Sequence, residues 1–154
     1  MKLTAQEDIE APIDRVFATL TEFDQLERAA LRRGIDVRQT GPHDSPVAVP
    51  GMGWLATFRF RGRSRSAEVT LTKVEPPQLL QFDSRSGGLD VISVVDLVAL
   101  SRARTRVGLT VELVPRALSA RLLVQSLKIA RGNVQRKFSA RVAEMATEIE
   151  RRAK

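Results

Sequence analysis

The sequence predicts an α+β domain in which a curved antiparallel sheet is closed by one long carboxy-terminal helix. Three observations predict it. From Leu127 onward, Leu127, Ala130, Val134, Phe138, Val142, Met145 and Ile149 recur at gaps of three or four residues, drawing one apolar stripe down a helix. Apart from one early helical stretch, the preceding chain reads as short strands. A long helix with a single apolar stripe must lie against something apolar, and those strands supply the only partner large enough. The resulting shape suits a hydrophobic ligand held between sheet and helix.

Each element carries its own signal. Leu3 to Ile9 alternates loosely as a first strand, with Leu3, Ala5, Glu7 and Ile9 on one face. Pro12 suits the first turn of a helix, where its missing N–H costs nothing, and Val16, Phe17 and Leu20 give that helix its buried side. Asp24 is placed to cap a second helix carrying Leu26, Ala30 and Leu31, and Gly34 to end it. From Ile35 the period changes to two. Ile35 to Thr40 is a short strand, and Gly41 to Gly53 is a Pro/Gly-rich loop with the length of a lid or cavity rim. Trp54, Ala56, Phe58 and Phe60 then alternate with Leu55, Thr57, Arg59 and Arg61 in the cleanest inside/outside strand of the chain. Gly62 turns it into Arg65 to Val74, with Ala67, Val69 and Leu71 inward. Pro76 and Pro77 break that strand, Leu79 to Ser84 is the next, and Gly87-Gly88 turns again. Leu89 to Leu100 and Thr105 to Val114 are the last two, and Pro115 ends the run.

The closing helix contains Gly132 and Asn133, poor helix formers that predict a kink there. Before it, Leu118, Leu122 and Ile129 fall opposite Leu123 and Leu127, so this part is apolar on two faces. One face is expected against the cavity and core and the other against a loop, a partner subunit or lipid, with an exposed apolar patch as the alternative.

At 154 residues the chain fits one domain, residues 1–154, large enough to bury roughly two thirds of its unfolded surface. Cysteine is absent and His43 is the single histidine, which excludes disulfides, thiolate metal sites and histidine-rich metal sites. Neither a metal nor a cofactor is expected. Glu7, Asp8 and Glu10 stand where a signal peptide needs an apolar core, and no apolar run approaches the roughly 20 residues of a membrane span. The expectation is a soluble, cytoplasmic protein.

The net charge of +7 is confined to one place. Residues 116–154 hold ten Lys or Arg against three Glu, while the remainder is balanced. A charge excess limited to one helix reads first as its solvated face, and otherwise as a surface for acidic partners or anionic membranes. With no Tyr and 5% aromatic residues, base-stacking platforms are poorly supplied, so no specific nucleic-acid partner is expected.

Several constellations are weighed by their spacing. His43, Asp44 and Ser45 match a triad in residue type, but consecutive loop residues project apart and read as turn chemistry. Gly51-Met52-Gly53 and Gly87-Gly88 lack the strand-to-helix context and the lysine of a phosphate loop. Arg59, Arg61, Arg63 and Arg65 read as a solvated edge hairpin protected by charge. Arg131 and Arg141 project within about 40° of the stripe's centre on an ideal helix, which makes Arg141 a candidate anchor for the polar end of a ligand. Glu7 and Ser93 fall on inward faces beside apolar neighbours.

The chain resembles the SRPBCC superfamily, the START-like helix-grip proteins, over essentially its whole length. The resemblance is carried by the first strand followed by Ala11-Pro12 and Val16-Phe17, Gly53-Trp54 opening a strand, Pro76-Pro77 before Leu80 and Phe82, Thr105-Arg106-Val107, and the long closing helix. It implies a helix-grip fold: a seven-stranded antiparallel sheet wrapped around a long C-terminal helix, with two short helices after strand 1 and a cavity between sheet and helix. Members resemble lipid carriers, coenzyme Q-binding proteins, polyketide cyclases/dehydrases or hormone receptors.

The expected function is binding or transport of a small hydrophobic molecule, a lipid, isoprenoid or polyketide-like compound, and the expectation leans against catalysis. Trp54, Phe58, Val69, Leu71 and Phe82 would line the cavity from the middle strands. Val91, Ser93, Val95, Leu109 and Val111 would do so from the last two, and Val134, Phe138 and Arg141 from the helix. Alternatives are a polyketide cyclase/dehydrase-like enzyme, in which Glu7, Ser93 or Arg141 polarises the substrate, and a basic-helix interaction module for acidic surfaces. Weak contact with an anionic membrane surface and a homodimer through outward-facing Ile92, Val94 and Val98 complete the partner readings.

Overall fold

Period-two alternation produces seven strands, all antiparallel: β1 (Lys2–Ile9), β2 (Asp36–Thr40), β3 (Gly53–Phe60), β4 (Arg63–Glu75), β5 (Leu79–Ser86), β6 (Leu89–Ser101) and β7 (Arg104–Pro115). A computed structural model describes residues 1–154. The strands form one sheet in the order β1-β7-β6-β5-β4-β3-β2, so β1 and β2 are its edges. Between β1 and β2 run α1 (Ile13–Leu20) and α2 (Phe23–Arg32), and the chain ends in α3 (Leu118–Ile129) and α4 (Arg131–Ala153). This is the α+β helix-grip architecture. No helix is long and apolar enough to cross a membrane.

Register fixes which side chains face the helices. Trp54 opposes Val69, Leu71 opposes Phe82, Leu80 opposes Val95, Leu97 opposes Val107, and Thr105 opposes Ile9, so one face of every strand looks inward. Glu7 lies on that face opposite Val107. The β3–β4 and β5–β6 connections are two-residue turns with positive φ at both positions, 52° and 76° at Arg61-Gly62 and 53° and 77° at Gly87-Gly88, as right-twisted hairpins favour. The Arg-rich β3–β4 hairpin is therefore interior to the sheet, flanked by β2 and β5, where an edge was expected.

The helices follow their apolar faces with three departures. Val16 and Leu20 bury α1 as predicted. In α2 the residue before the first turn is Glu22, with no side-chain cap, and Asp24 sits inside that turn, where its charge still favours the helix dipole. The end of α2 follows the prediction: Gly34 at φ 85° lets its N–H reach Leu31 O at 3.0 Å and that of Ile35 reach Ala30 O at 2.9 Å, a Schellman pair. The closing helix bends at Ala130 (φ −94°, ψ 25°), two residues before the predicted kink. Gly132 and Asn133 then fall in the first turn of α4, where poor helix formers cost least. The bend also resets the stripe. Val142, Ala146, Ile149 and Ala153 face the core, whereas Met145 is 47% exposed.

The core occupies one end of the groove. Ile9, Val16, Leu20, Trp54, Leu71, Leu80, Leu97, Val107 and Ile149 form a contiguous cluster there. The loop between β2 and β3 plugs this end, with Met52 buried, Gly51 N donating to Leu71 O at 2.8 Å and Leu71 N donating to Met52 O at 2.8 Å. It is a stopper, and it stands away from the rim of the cavity described below. His43 belongs to the stopper: its Nε2 lies 2.8 Å from Gly53 O and its ring meets Trp54 edge-on at 5.1 Å.

Candidate functional site

Along the inner face of each middle strand, side-chain size changes with distance from the stopper. On β4 it falls from Leu71 through Val69 to Ala67, and on β5 from Leu80 and Phe82 to Ser84 and Ser86. Small residues far from the plug cannot reach the helix layer, and a hollow of about 500 Å³ remains. Its walls are Phe58, Phe60, Ala67, Ser84, Ser86, Leu89, Val91 and Leu113 from the sheet, and Ser119, Ala120, Leu122, Leu123 and Leu127 from α3. The cavity is open to the surface, since Phe60 and Leu122 belong to its wall and are 37% and 60% exposed.

The β5–β6 turn holds α3 over this opening. Gly88 O accepts from Arg116 N at 2.6 Å and Ala117 N at 3.2 Å, and a Cβ on Gly88 would lie 2.5 Å from that of Ala117. Asp90 adds ion pairs to Arg85 at 3.4 Å and Arg116 at 3.0 Å. From α3, Ala120 and Val124 pack inward and are buried.

Arginine supplies the cavity's charge. Arg61, Arg65 and Arg85 line it, with Ser84, Ser86 and Ser119 as the hydroxyl groups and no carboxylate or imidazole among the lining residues. Arg65 faces inward because it pairs with Phe58 across β3 and β4. Its Nε donates to Phe60 O at 3.1 Å, and Arg61 Nη2 donates to Ser126 Oγ of α3 at 3.1 Å. Both guanidinium groups lie over the Phe60 ring, 5.4 and 5.7 Å from its centroid. Arg85 is partly neutralised by Asp90, whereas Arg61 and Arg65 bond to neutral oxygens and have no carboxylate partner.

The predicted lining residues separate into two groups. Phe58 and Val91 line the hollow. Trp54, Leu71 and Phe82 instead fill the stoppered end, joined by Val69 and Val95. Trp54 meets Phe23 at 5.0 Å and Phe82 at 6.2 Å between ring centroids, and its Nε1 donates to Glu27 Oε1 at 2.9 Å. Ser93, Leu109 and Val111 are half-buried on the inner face between the two regions, and Val134 and Phe138 are half-buried on α4. None of these five is in the cavity wall. Arg141 lies outside it too: its side chain is 64% exposed and its Nη1 is 3.9 Å from Glu144 Oε2. The stripe rotates at Ala130, which carries Arg141 out to solvent. Arg61 and Arg65 are visible in the sequence as alternate arginines around Gly62, and Arg65 shares the inward parity of Ala67, Val69 and Leu71, but only the tertiary structure shows that this stretch of the inner face meets a cavity.

The family model described as polyketide cyclase / dehydrase and lipid transport matches residues 1–150, and the chain belongs to that family, within the SRPBCC helix-grip superfamily. Many solved structures share the fold, and three illustrate it. The Zhui aromatase/cyclase from a Streptomyces species is 16% identical with a TM-score of 0.68, covering 100% of this chain and 96% of its own. TTHA0849 from Thermus thermophilus is 15% identical at a TM-score of 0.66, covering 99% and 97%. Truncated norcoclaurine synthase from Thalictrum flavum is 13% identical at 0.68, covering 97% and 91%. No curated protein sequence matches the chain significantly. The expectation that leaned against catalysis is corrected by these likenesses. An aromatase/cyclase and a synthase have this fold, so the missing triad and metal-ligand cluster do not count against an enzyme.

Proposed function

We propose that this chain is a cyclase/dehydrase-like enzyme acting on a small, largely apolar molecule that presents a carbonyl or carboxylate oxygen to Arg61 and Arg65. One observation carries the reading: an open cavity of about 500 Å³ with apolar walls, whose unneutralised charges are two guanidinium groups. A volume in this range suits a small organic ligand. Two fixed guanidinium groups attract an oxygen that gains negative charge more strongly than a neutral carbonyl oxygen, so the pair favours an enolate over its parent ketone. In a poly-β-carbonyl chain the methylene between two carbonyls is acidic enough for water at the open mouth to take its proton. The carbanion then attacks a carbonyl folded back along the wall, and this C–C bond closes the ring. The resulting alkoxide takes the proton back from that water, and elimination of the hydroxyl with a second methylene proton releases water and leaves a C=C bond in the ring. Phe58, Val91, Leu113 and Leu123 would hold the chain in that folded shape. The relatives' names support the reaction class, and the family description supports the apolar substrate.

The test is turnover of a linear poly-β-keto thioester, followed by the absorbance of the aromatic product. Wild type should exceed the buffer rate, and Arg65→Ala should lower the rate about a hundredfold, the usual cost of removing one oxyanion donor. Equal product formation by wild type, Arg65→Ala and buffer would refute the proposal.

A further inference from the structure

We infer that the outer face of α3 docks on an anionic lipid bilayer, bringing the cavity mouth against the membrane surface. Leu118, Leu122 and Ile129 are 71%, 60% and 90% exposed. At 100° per residue they fall within about 40° of one another, so they form one outward stripe on a helix whose other side walls the cavity. Leu122 belongs to both, as an exposed residue that also lines the mouth. Apolar stripe and apolar opening are thus one surface.

Charge selects the partner. Arg121 and Lys128 flank the stripe on one side, Arg61 reaches α3 through Ser126, and Arg63 and Arg131 stand nearby in sequence at the β3–β4 tip and the helix bend. Between Glu112 and Glu144 the chain has no acidic residue. A two-fold dimer through α3 would set this basic row against its own copy, with no carboxylate on the helix to neutralise it. A bilayer containing anionic lipid satisfies both features, accepting the three aliphatic side chains below the headgroups while Arg and Lys extend to the phosphates. The inference is independent of the reaction proposed for the cavity, which enters only in deciding what passes through the mouth.

Co-sedimentation with vesicles tests it. The intact protein should bind phosphatidylcholine vesicles containing phosphatidylserine, bind pure phosphatidylcholine far less, and lose most binding when salt is raised from about 50 to 300 mM. The double variant Leu118→Ser/Ile129→Ser should weaken binding at least tenfold with an unchanged melting temperature, because both side chains are exposed. Arg121→Glu/Lys128→Glu should weaken it at low salt only. No co-sedimentation of wild type at low salt would overturn the inference. So would binding indifferent to Leu118→Ser/Ile129→Ser, which would place the contact on the basic face of α4. A concentration-dependent dimer abolished by the same double variant would also overturn it and assign the face to a second copy.

Discussion

The two ends of the groove are built on the same strands and do opposite things. At the stoppered end Trp54, Leu71, Leu80, Leu97 and Ile149 interlock, and α1, α2 and the β2–β3 loop close over them. Some 13 to 20 Å further along β3 and β4, Phe58, Ala67, Ser84 and Val91 face a hollow roofed by α3 alone. Buried apolar packing is therefore concentrated at the end away from the hollow. An empty apolar void of this size, if sealed, would cost on the order of 12 kcal/mol at about 24 cal/mol per Å³, comparable with the whole stability of a domain at about 5–15 kcal/mol. The open mouth removes that cost by admitting water, which a ligand can displace.

Mutations placed at the two ends should diverge, and the largest effect is expected in the filled half. Leu71→Ala, at a fully buried site, should cost about 3 kcal/mol in chemical denaturation, while Val91→Ala in the hollow should cost under about 1 kcal/mol. Equal losses would mean that the hollow is packed in solution. Next comes the hinge of the roof. Gly88→Ala combines an unfavourable positive φ with contact at Ala117, so about 2 kcal/mol of destabilisation is expected, with faster amide exchange confined to α3.

Smaller changes sharpen the contrast. Ser84→Leu extends the filled packing into the hollow, and should raise stability by about 1 kcal/mol while abolishing the fluorescence of a bound anilinonaphthalene sulfonate probe. Arg61→Gly relieves a positive-φ cost of about 1 kcal/mol but adds backbone freedom of similar size, so the melting temperature should hold while probe affinity falls. The smallest effect concerns pH and lies outside both ends. The Arg106 guanidinium, bonded to Asp8 at 2.8 Å, holds that carboxyl below its ordinary range, and Arg151 does the same for Glu148. A depressed carboxyl contributes fully above its unfolded value, near 4, and loses that contribution as pH falls through the folded value. Melting temperature should thus be flat from neutral pH to about 5 and decline below about 4, less steeply in high salt.

Much of this molecule was legible from residue order. Alternation located the strands within a few residues, Pro12 and Gly34 bounded the early helices, and the tapering of β4 and β5 from Leu and Phe to Ala and Ser was in plain sight. The taper does not by itself define a void, because cavity size depends on which strands are neighbours and on what covers them. Size and facing alone put Trp54 and Phe82 in the cavity. Phe23 and His43, distant in sequence, turn that spot into packed core.

By itself the sequence determined which residues face inward, because a strand's side chains alternate whatever the strand packs against. It also confined the charge excess to the last helical segment. Tertiary structure alone decided which inward residues meet a partner and which meet space, where the closing helix bends, and that Arg61 and Arg65 stand at the cavity while Arg141 does not. Inward facing is a property of one strand's periodicity. Filling is a property of three or more elements meeting at one point, and no local pattern encodes that distance.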